Sequence, residues 1–184
     1  MDSGVRMATT ATMSGLQFDA LPYEEGRRWE LLEGDCIKVS SPTPRHQEIV
    51  FRVLLSLRQY LAGNGTALAA VEFALSELIR LRPDVCVSLA DRADLLDLDR
   101  VPIPAAPYLA VEVISPTERA SESQDKVRAY LRNGTREVWQ IFPRSRTGSV
   151  HTPTGSIVLE QGSAMTSALL PGCIESIDQL FASL

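Results

Sequence analysis

At 184 residues, 45% of them hydrophobic, the chain is the size of one ordinary domain with enough apolar content for a core. No apolar run approaches the roughly 18 residues needed to span a bilayer, so a soluble, cytoplasmic protein without a membrane partner is expected. A net charge of −5 argues against a general polyanion binder, although local charge can override the total. The first fifteen residues, MDSGVRMATTATMSG, lack the continuous apolar core of a secretory signal and read as a flexible tail before one domain over 16–184. Trp29–Leu32 and Cys36–Val39 flank Glu33-Gly34-Asp35, which predicts a hairpin. Ser40-Ser41-Pro42-Thr43-Pro44 then breaks the sheet. The helix expected over His46–Ala62 carries Ile49, Val50, Val53, Leu54, Leu57 and Leu61 at helical spacing and stops at Gly63-Asn64-Gly65.

Strands are expected near Ala67–Phe73 and Leu81–Leu89, then an acidic loop around Asp91–Asp99, then a strand over Tyr108–Ser115. Ser121-Glu122-Ser123-Gln124 has the pattern of a capping box opening a helix that closes at Asn133-Gly134. Glu137–Phe142 reads as a strand, His151–Glu160 as edge strands around Gly155, and LLPGCIESIDQLF as a turn followed by a short helix. The sum is a single α/β domain. Cys36, Cys86 and Cys173 are far apart with no C-x-x-C pair, so reduced thiols in or near the core are expected and no zinc site.

Two carboxylates stand out. Asp84 lies in LIRLRPDVCVSL and Glu112 in PYLAVEVISPTE, both apolar, β-branched runs of strand length. An ionised carboxylate inside such a run costs several kcal/mol unless a cation or donor compensates it, and two of them suggest a shared divalent metal. Strand periodicity puts Tyr108, Ala110, Glu112 and Ile114 on one face, with Leu109, Val111, Val113 and Ser115 on the other. The simplest alternatives are an Asp84 that only caps its strand, a Glu112 paired with Arg80 or Arg82, and a Glu30 paired with Arg28 on an exposed hairpin. His46 falls on the same side of its helix as Ile49, Val50 and Val53, so a buried, hydrogen-bonded histidine competes with a catalytic one. His151 has no evident partner. Six basic residues against one acid, Glu137, between Lys126 and Arg146 form either a solvated face or a phosphate-contacting one through Arg128 and Arg132.

P-D in one strand and E-x-I in the next resemble the P-D…(D/E)-x-K signature of restriction-endonuclease-like nucleases, with Ile114 where that signature has lysine. WELLEGDCIKVSSPTPRHQEIV, RPDVCVS, PYLAVEVISPTERASESQDKVRAYLRNGTREVWQIF and LLPGCIESIDQLF, in that order, resemble the bacterial Uma family of endonucleases, a branch of the PD-(D/E)XK superfamily. The resemblance covers roughly Leu16 to Leu184. It implies a restriction-endonuclease-like mixed sheet flanked by helices and a DNA endonuclease using Mg²⁺, for which Mn²⁺ substitutes. It also implies a homodimer, since cutting a duplex needs two centres. Asp84 and Glu112 would hold the metal, Lys126 would serve as a lysine migrated to the following helix, and Glu30 and His46 would join the site. Glu122 stands where the family has Asp. The chemistry is coherent: Mg²⁺ takes one or two carboxylates plus waters, lowers the pKa of a water and binds a phosphate oxygen, while a nearby ammonium offsets developing charge. The competing readings are an inactive nucleic-acid-binding or regulatory module on the same fold, favoured by Ile114, and a metal-dependent hydrolase of another substrate.

Overall fold

The computed structural model describes residues 12–22, 24, 28–89, 97 and 99–184. Residues 1–11 of the expected tail, and most of the expected acidic loop Asp91–Asp99, lie outside the described residues. The end of the tail segment is held. Met13 N–H donates to Gly34 O (3.0 Å), and Ser14 caps a short helix, α1 (Gly15–Asp19), that the apolar pattern does not announce.

The hairpin forms as expected from β1 (Arg28–Leu32) and β2 (Asp35–Val39). Its loop residues Glu33 and Gly34 have φ of 52° and 82°, the left-handed region that two-residue hairpin loops need and glycine adopts freely. Helix α2 (Pro44–Leu61) begins two residues earlier than expected because Thr43 accepts the His46 N–H (3.2 Å) and Pro44, having no N–H to satisfy, suits the first turn. Ile49, Val50, Val53, Leu57 and Leu61 form its buried stripe.

Both strands expected next are in fact divided. The first becomes β3 (Gly65–Ala69) and β4 (Phe73–Ser76), separated at Ala70, whose φ is 54°. The second becomes β5 (Ile79–Leu81) and β6 (Val85–Leu89), separated by Arg82-Pro83-Asp84, where Pro83 has no N–H for a ladder. Asp84 therefore sits in the bend before β6 rather than in mid-strand. Then follow β7 (Leu109–Val113), α3 (Ala120–Arg132), β8 (Glu137–Phe142), β9 (Thr147–Thr152), β10 (Gly155–Leu159), β11 (Ala164–Thr166), β12 (Ile174–Ser176) and α4 (Ile177–Leu180). The expected capping box does not form: Ser121 is already inside α3, and the N-cap position falls to Arg119, which makes no side-chain cap bond.

Six strands form the main sheet in the order β10-β9-β8-β7-β6-β3, and four form a smaller one, β2-β1-β5-β4. Within the main sheet as described, β7 and β8 run parallel, joined by α3, and the other neighbouring strands pair antiparallel. One face of the main sheet (Val85, Val87, Leu109, Val111, Trp139, Ile141) packs on α2 and α4. On the other face, Ala110 and Val138 pack with Val127, Ala129 and Tyr130 of α3 and with Leu32, Ile37, Ile79 and Leu81 of the small sheet. Burying each large aliphatic side chain is worth about 1.5–3 kcal/mol, so these two layers fix where α3 and the small sheet sit. All three cysteines are buried and free. Among the described residues no helix is long and apolar enough to cross a membrane.

Candidate active site

After α2 has carried the chain from the small sheet to the main one, it changes sheet again at Ala70 and at Arg82-Pro83-Asp84, and both of these places line a cavity of about 610 Å³. The first turn of α2, the end of β7 with the loop after it, and Lys126 of α3 complete the walls. Antiparallel register pairs Val85 with Val111; one residue further, Asp84 stands opposite Glu112. Asp84 Oδ2 accepts the Val113 N–H (2.8 Å) and lies 3.2 Å from His46 Nε2. Glu112 Oε1 accepts the Tyr130 hydroxyl (2.8 Å). Each carboxylate thus has one oxygen engaged, while the other takes no hydrogen bond among the described residues.

Helical spacing explains the opposite wall. Ser123, Lys126 and Tyr130 recur at i, i+3 and i+7, which turns all three toward the sheet, and all are buried. The Lys126 ammonium lies 2.7 Å from Glu30 Oε2 and 3.8 Å from Glu118 Oε1. Glu30 also accepts the Arg82 N–H through Oε1 (2.9 Å), so the bend that presents Asp84 fixes Glu30 as well.

Glu30, Asp84, Glu112 and Glu118 face Lys126 and His46 across this space, and the electrostatics follow. Burial pushes the Glu112 carboxyl well above the ordinary range; Lys126 opposes this, while Asp84, Glu30 and Glu118 add to it. Burial also raises Glu118, with Lys126 opposing and Glu30 and Glu122 adding. For Lys126, burial works against the charge, but Glu30, Glu112 and Glu118 together outweigh it and hold its pKa well above the usual value. Burial likewise disfavours the charged His46 ring, yet its bond to Asp84 and that carboxylate's charge bring the net shift upward. Burial, then the Glu112 charge, keeps the Tyr130 hydroxyl protonated and donating.

The donor set fits a hard divalent cation: Asp84 and Glu112 each present a carboxylate oxygen that takes no hydrogen bond among the described residues. Glu118 Oε1 and His46 Nδ1 are moreover buried without a hydrogen-bond partner among the described residues, which packing alone would not favour. Among the described residues no three His, Cys, Asp or Glu side chains form a metal cage. Mg²⁺ does not require one, since it keeps several of its waters.

All five residues singled out in the sequence (Asp84, Glu112, Lys126, Glu30 and His46) line the same cavity. The simple alternatives for two of them do not hold: Arg80 pairs with Asp19 and Arg82 with Glu72, leaving Glu112 to Tyr130, and Glu30 is buried rather than exposed beside Arg28. The arginines Arg128 and Arg132 of α3 are exposed and lie outside the cavity. Arg128 pairs with Asp125 (2.7 Å) and Arg132 with Glu33 (2.5 Å), and neither lines the cavity, whose arginines are Arg28, Arg45, Arg82 and Arg144. His151 does have partners: Ser149 (2.8 Å), Gln140 (3.0 Å) and Ser156 (2.8 Å), while Gln140 in turn donates to Ser123 Oγ (2.6 Å). Sequence reasoning missed Glu118, although it closes the same VEVISPTE segment as Glu112, and assigned Tyr130 no role, although it lies one turn beyond Lys126.

The fold is of the restriction-endonuclease-like class. It matches the crystal structure of a protein from Anabaena variabilis ATCC 29413, described as "a putative nuclease belonging to DUF820". The TM-score is 0.82 at 20% identity, over 92% of this chain and 98% of that one. The chain belongs to the Uma2 family, described as "Putative restriction endonuclease", which matches residues 16–177. No curated protein matches the sequence.

Proposed function

We propose that the protein is a DNA endonuclease that uses Mg²⁺, or Mn²⁺ in its place, to hydrolyse phosphodiester bonds. The observation that carries this reading is that Asp84, in the bend before β6, and Glu112, near the end of β7, line one cavity with a buried lysine. Family membership supports it. Asp84 and Glu112 would hold the cation through their unengaged oxygens. When bound, it supplies charge for the phosphate oxygen and a lowered pKa for the attacking water. Tyr130 and the Val113 N–H orient the two carboxylates. Lys126, kept charged by its acidic neighbours, cannot act as a base; its ammonium offsets charge developing on phosphorus. Glu30 aims that ammonium, and His46, in the first turn of α2, stands beside Asp84 where the helix terminus also favours an anion. Arg45 and Arg144 at the rim offer phosphate contacts.

Every one of these residues comes from a single chain, so each copy of the proposed homodimer carries a whole centre. Incubation of plasmid and single-stranded DNA with Mg²⁺ or Mn²⁺ tests the reading, and the expected result is cleavage that Asp84→Ala abolishes. DNA binding without metal-dependent cleavage would favour the rival, a non-catalytic module for which Ile114 at the signature lysine position already speaks.

A further inference from the structure

The main sheet has two edges, and they are unlike. At β3 the edge is guarded: Arg58 of α2 donates through Nε to Ala67 O (2.9 Å). The small sheet is guarded too, at one edge by the charges of Asp35 and Lys38 on β2 and at the other by Ile103, whose N–H and C=O bond to Glu72 and Ala74 beside β4. No described residue protects strand β10 in this way. Among the described residues no side chain bonds the backbone of Ser156, Ile157, Val158 or Leu159, and no Asp, Glu, Lys or Arg occurs anywhere from Thr147 to Leu159. Edge strands normally carry charge, proline or a cover because a bare one templates further pairing.

The side chains add to this. Ile157 pairs with Val150 and so continues the face packed on α2, whereas Val158 pairs with Ser149 and points to the opposite face. Both are exposed, by 63% and 72%, so neither helical layer overhangs the strand. The edge can therefore be approached in the plane of the sheet.

We infer that β10 pairs antiparallel with β10 of a second copy, joining two six-stranded sheets into one of twelve. The second copy is the occupant that the charge pattern selects. A two-fold contact brings each strand against itself, so every charge on it would meet its own like near the axis, and this strand has none. Alternating N–H and C=O groups on the free edge are self-complementary in that arrangement, and Ile157 and Val158 gain apolar neighbours on both faces. The axis stands normal to the sheet. The two cavities, which open at the carboxyl-terminal ends of β7 and β8, then point to opposite ends of the joined sheet. Each centre works by itself, and the pair does not close over one duplex. A contact of five residues per strand is at the small end of interfaces, so the association is reversible.

The inference rests on the edge and not on the proposed chemistry, and sedimentation of the full chain against concentration tests it without any activity assay. Wild type should pass from one chain to two as concentration rises. Ile157→Lys/Val158→Lys should raise the dissociation constant by roughly tenfold or more, an effect of about 1.4 kcal/mol. Phe51→Lys/Leu55→Lys, which changes the exposed apolar pair on α2, should leave it unaltered. Hydrogen exchange on the unmodified protein gives a second reading: amides of 156–159 should slow as concentration rises. A single-chain mass at about 100 µM, where a micromolar contact is saturated, would overturn the inference. So would a dimer that survives the β10 variant but not the α2 variant, or β10 amides indifferent to concentration.

Discussion

Glu112 and Glu137 are both buried glutamates on adjacent parallel strands, 6% and 2% exposed, yet their surroundings differ in kind. Glu137 lies on the α2 side of the sheet, where Oε1 accepts the Trp139 indole N–H (2.5 Å) and Oε2 accepts the Ser167 hydroxyl (3.2 Å). Its neighbours are neutral donors and its valences are filled. Glu112, on the α3 side, has one donor, three other carboxylates and an ammonium around it. A buried carboxylate is therefore no mark of function by itself. Excess like charge around an unfilled oxygen is the feature that separates the two.

The largest expected effect tests that contrast directly. Glu112→Gln should abolish Mn²⁺ binding by calorimetry and lower DNA cleavage by roughly 10³-fold, the several kcal/mol a metal supplies, while leaving the fold intact. Glu137→Gln should leave binding and cleavage unchanged and cost about 1 kcal/mol of stability, one buried hydrogen bond's worth. Equal metal affinity in wild type and Glu112→Gln would erase the distinction.

Lys126 sharpens the same comparison from the cationic side. Lys126→Ala should retain metal binding and reduce turnover by about 10²-fold. It also leaves buried carboxylates uncompensated, so a loss of about 3–5 kcal/mol should appear in denaturant melts. Adding Glu30→Gln should restore much of that stability and none of the turnover, because the two side chains act as a pair. Wild-type cleavage in Lys126→Ala would assign the role elsewhere.

Smaller effects are expected at the rim. Arg45→Ala and Arg144→Ala should each reduce the salt dependence of DNA affinity by about 0.9 in log–log slope. Arg128→Ala and Arg132→Ala should not, since those residues pair with Asp125 and Glu33. The smallest effect concerns pH. Burial raises the Glu137 pKa above 4.5, and its bonds to Trp139 and Ser167 only partly offset this. The folded state therefore binds that proton more tightly than the unfolded chain. This contribution is complete below pH 4.5 and is lost as pH rises through the folded value. Glu137→Gln should flatten the melting temperature across that window.

How far these differences were legible in the sequence depends on whether they are local. Helix α2, the hairpin, β8 and the face of β7 carrying Glu112 follow from periodicity and turn residues within a few positions. The bend at Arg82-Pro83-Asp84 was hidden inside the single strand expected over Leu81–Leu89, with Pro83 its only signal. The change of sheet at Ala70 had no signal at all, because alanine rarely adopts positive φ. Ser121 had the pattern of a cap but was overtaken by a helix already begun at Ala120. Partners contributed by other elements were illegible for the same reason: Tyr130 for Glu112, Gln140 for His151, and Glu30 rather than Asp84 or Glu112 as the nearest carboxylate to Lys126.

The guanidinium of Arg58, set on the carbonyl of Ala67, has a bearing on how large an assembly can become. Sheets that are open on both sides can add copies without end, which is the route to filaments and to precipitation. Among the described residues one side of the main sheet is bare, and the inferred two-fold pairing would use it up, so that growth would stop at two chains. Arg58→Ala would bare the second side, and the sign to look for is light scattering that keeps rising with concentration instead of levelling off.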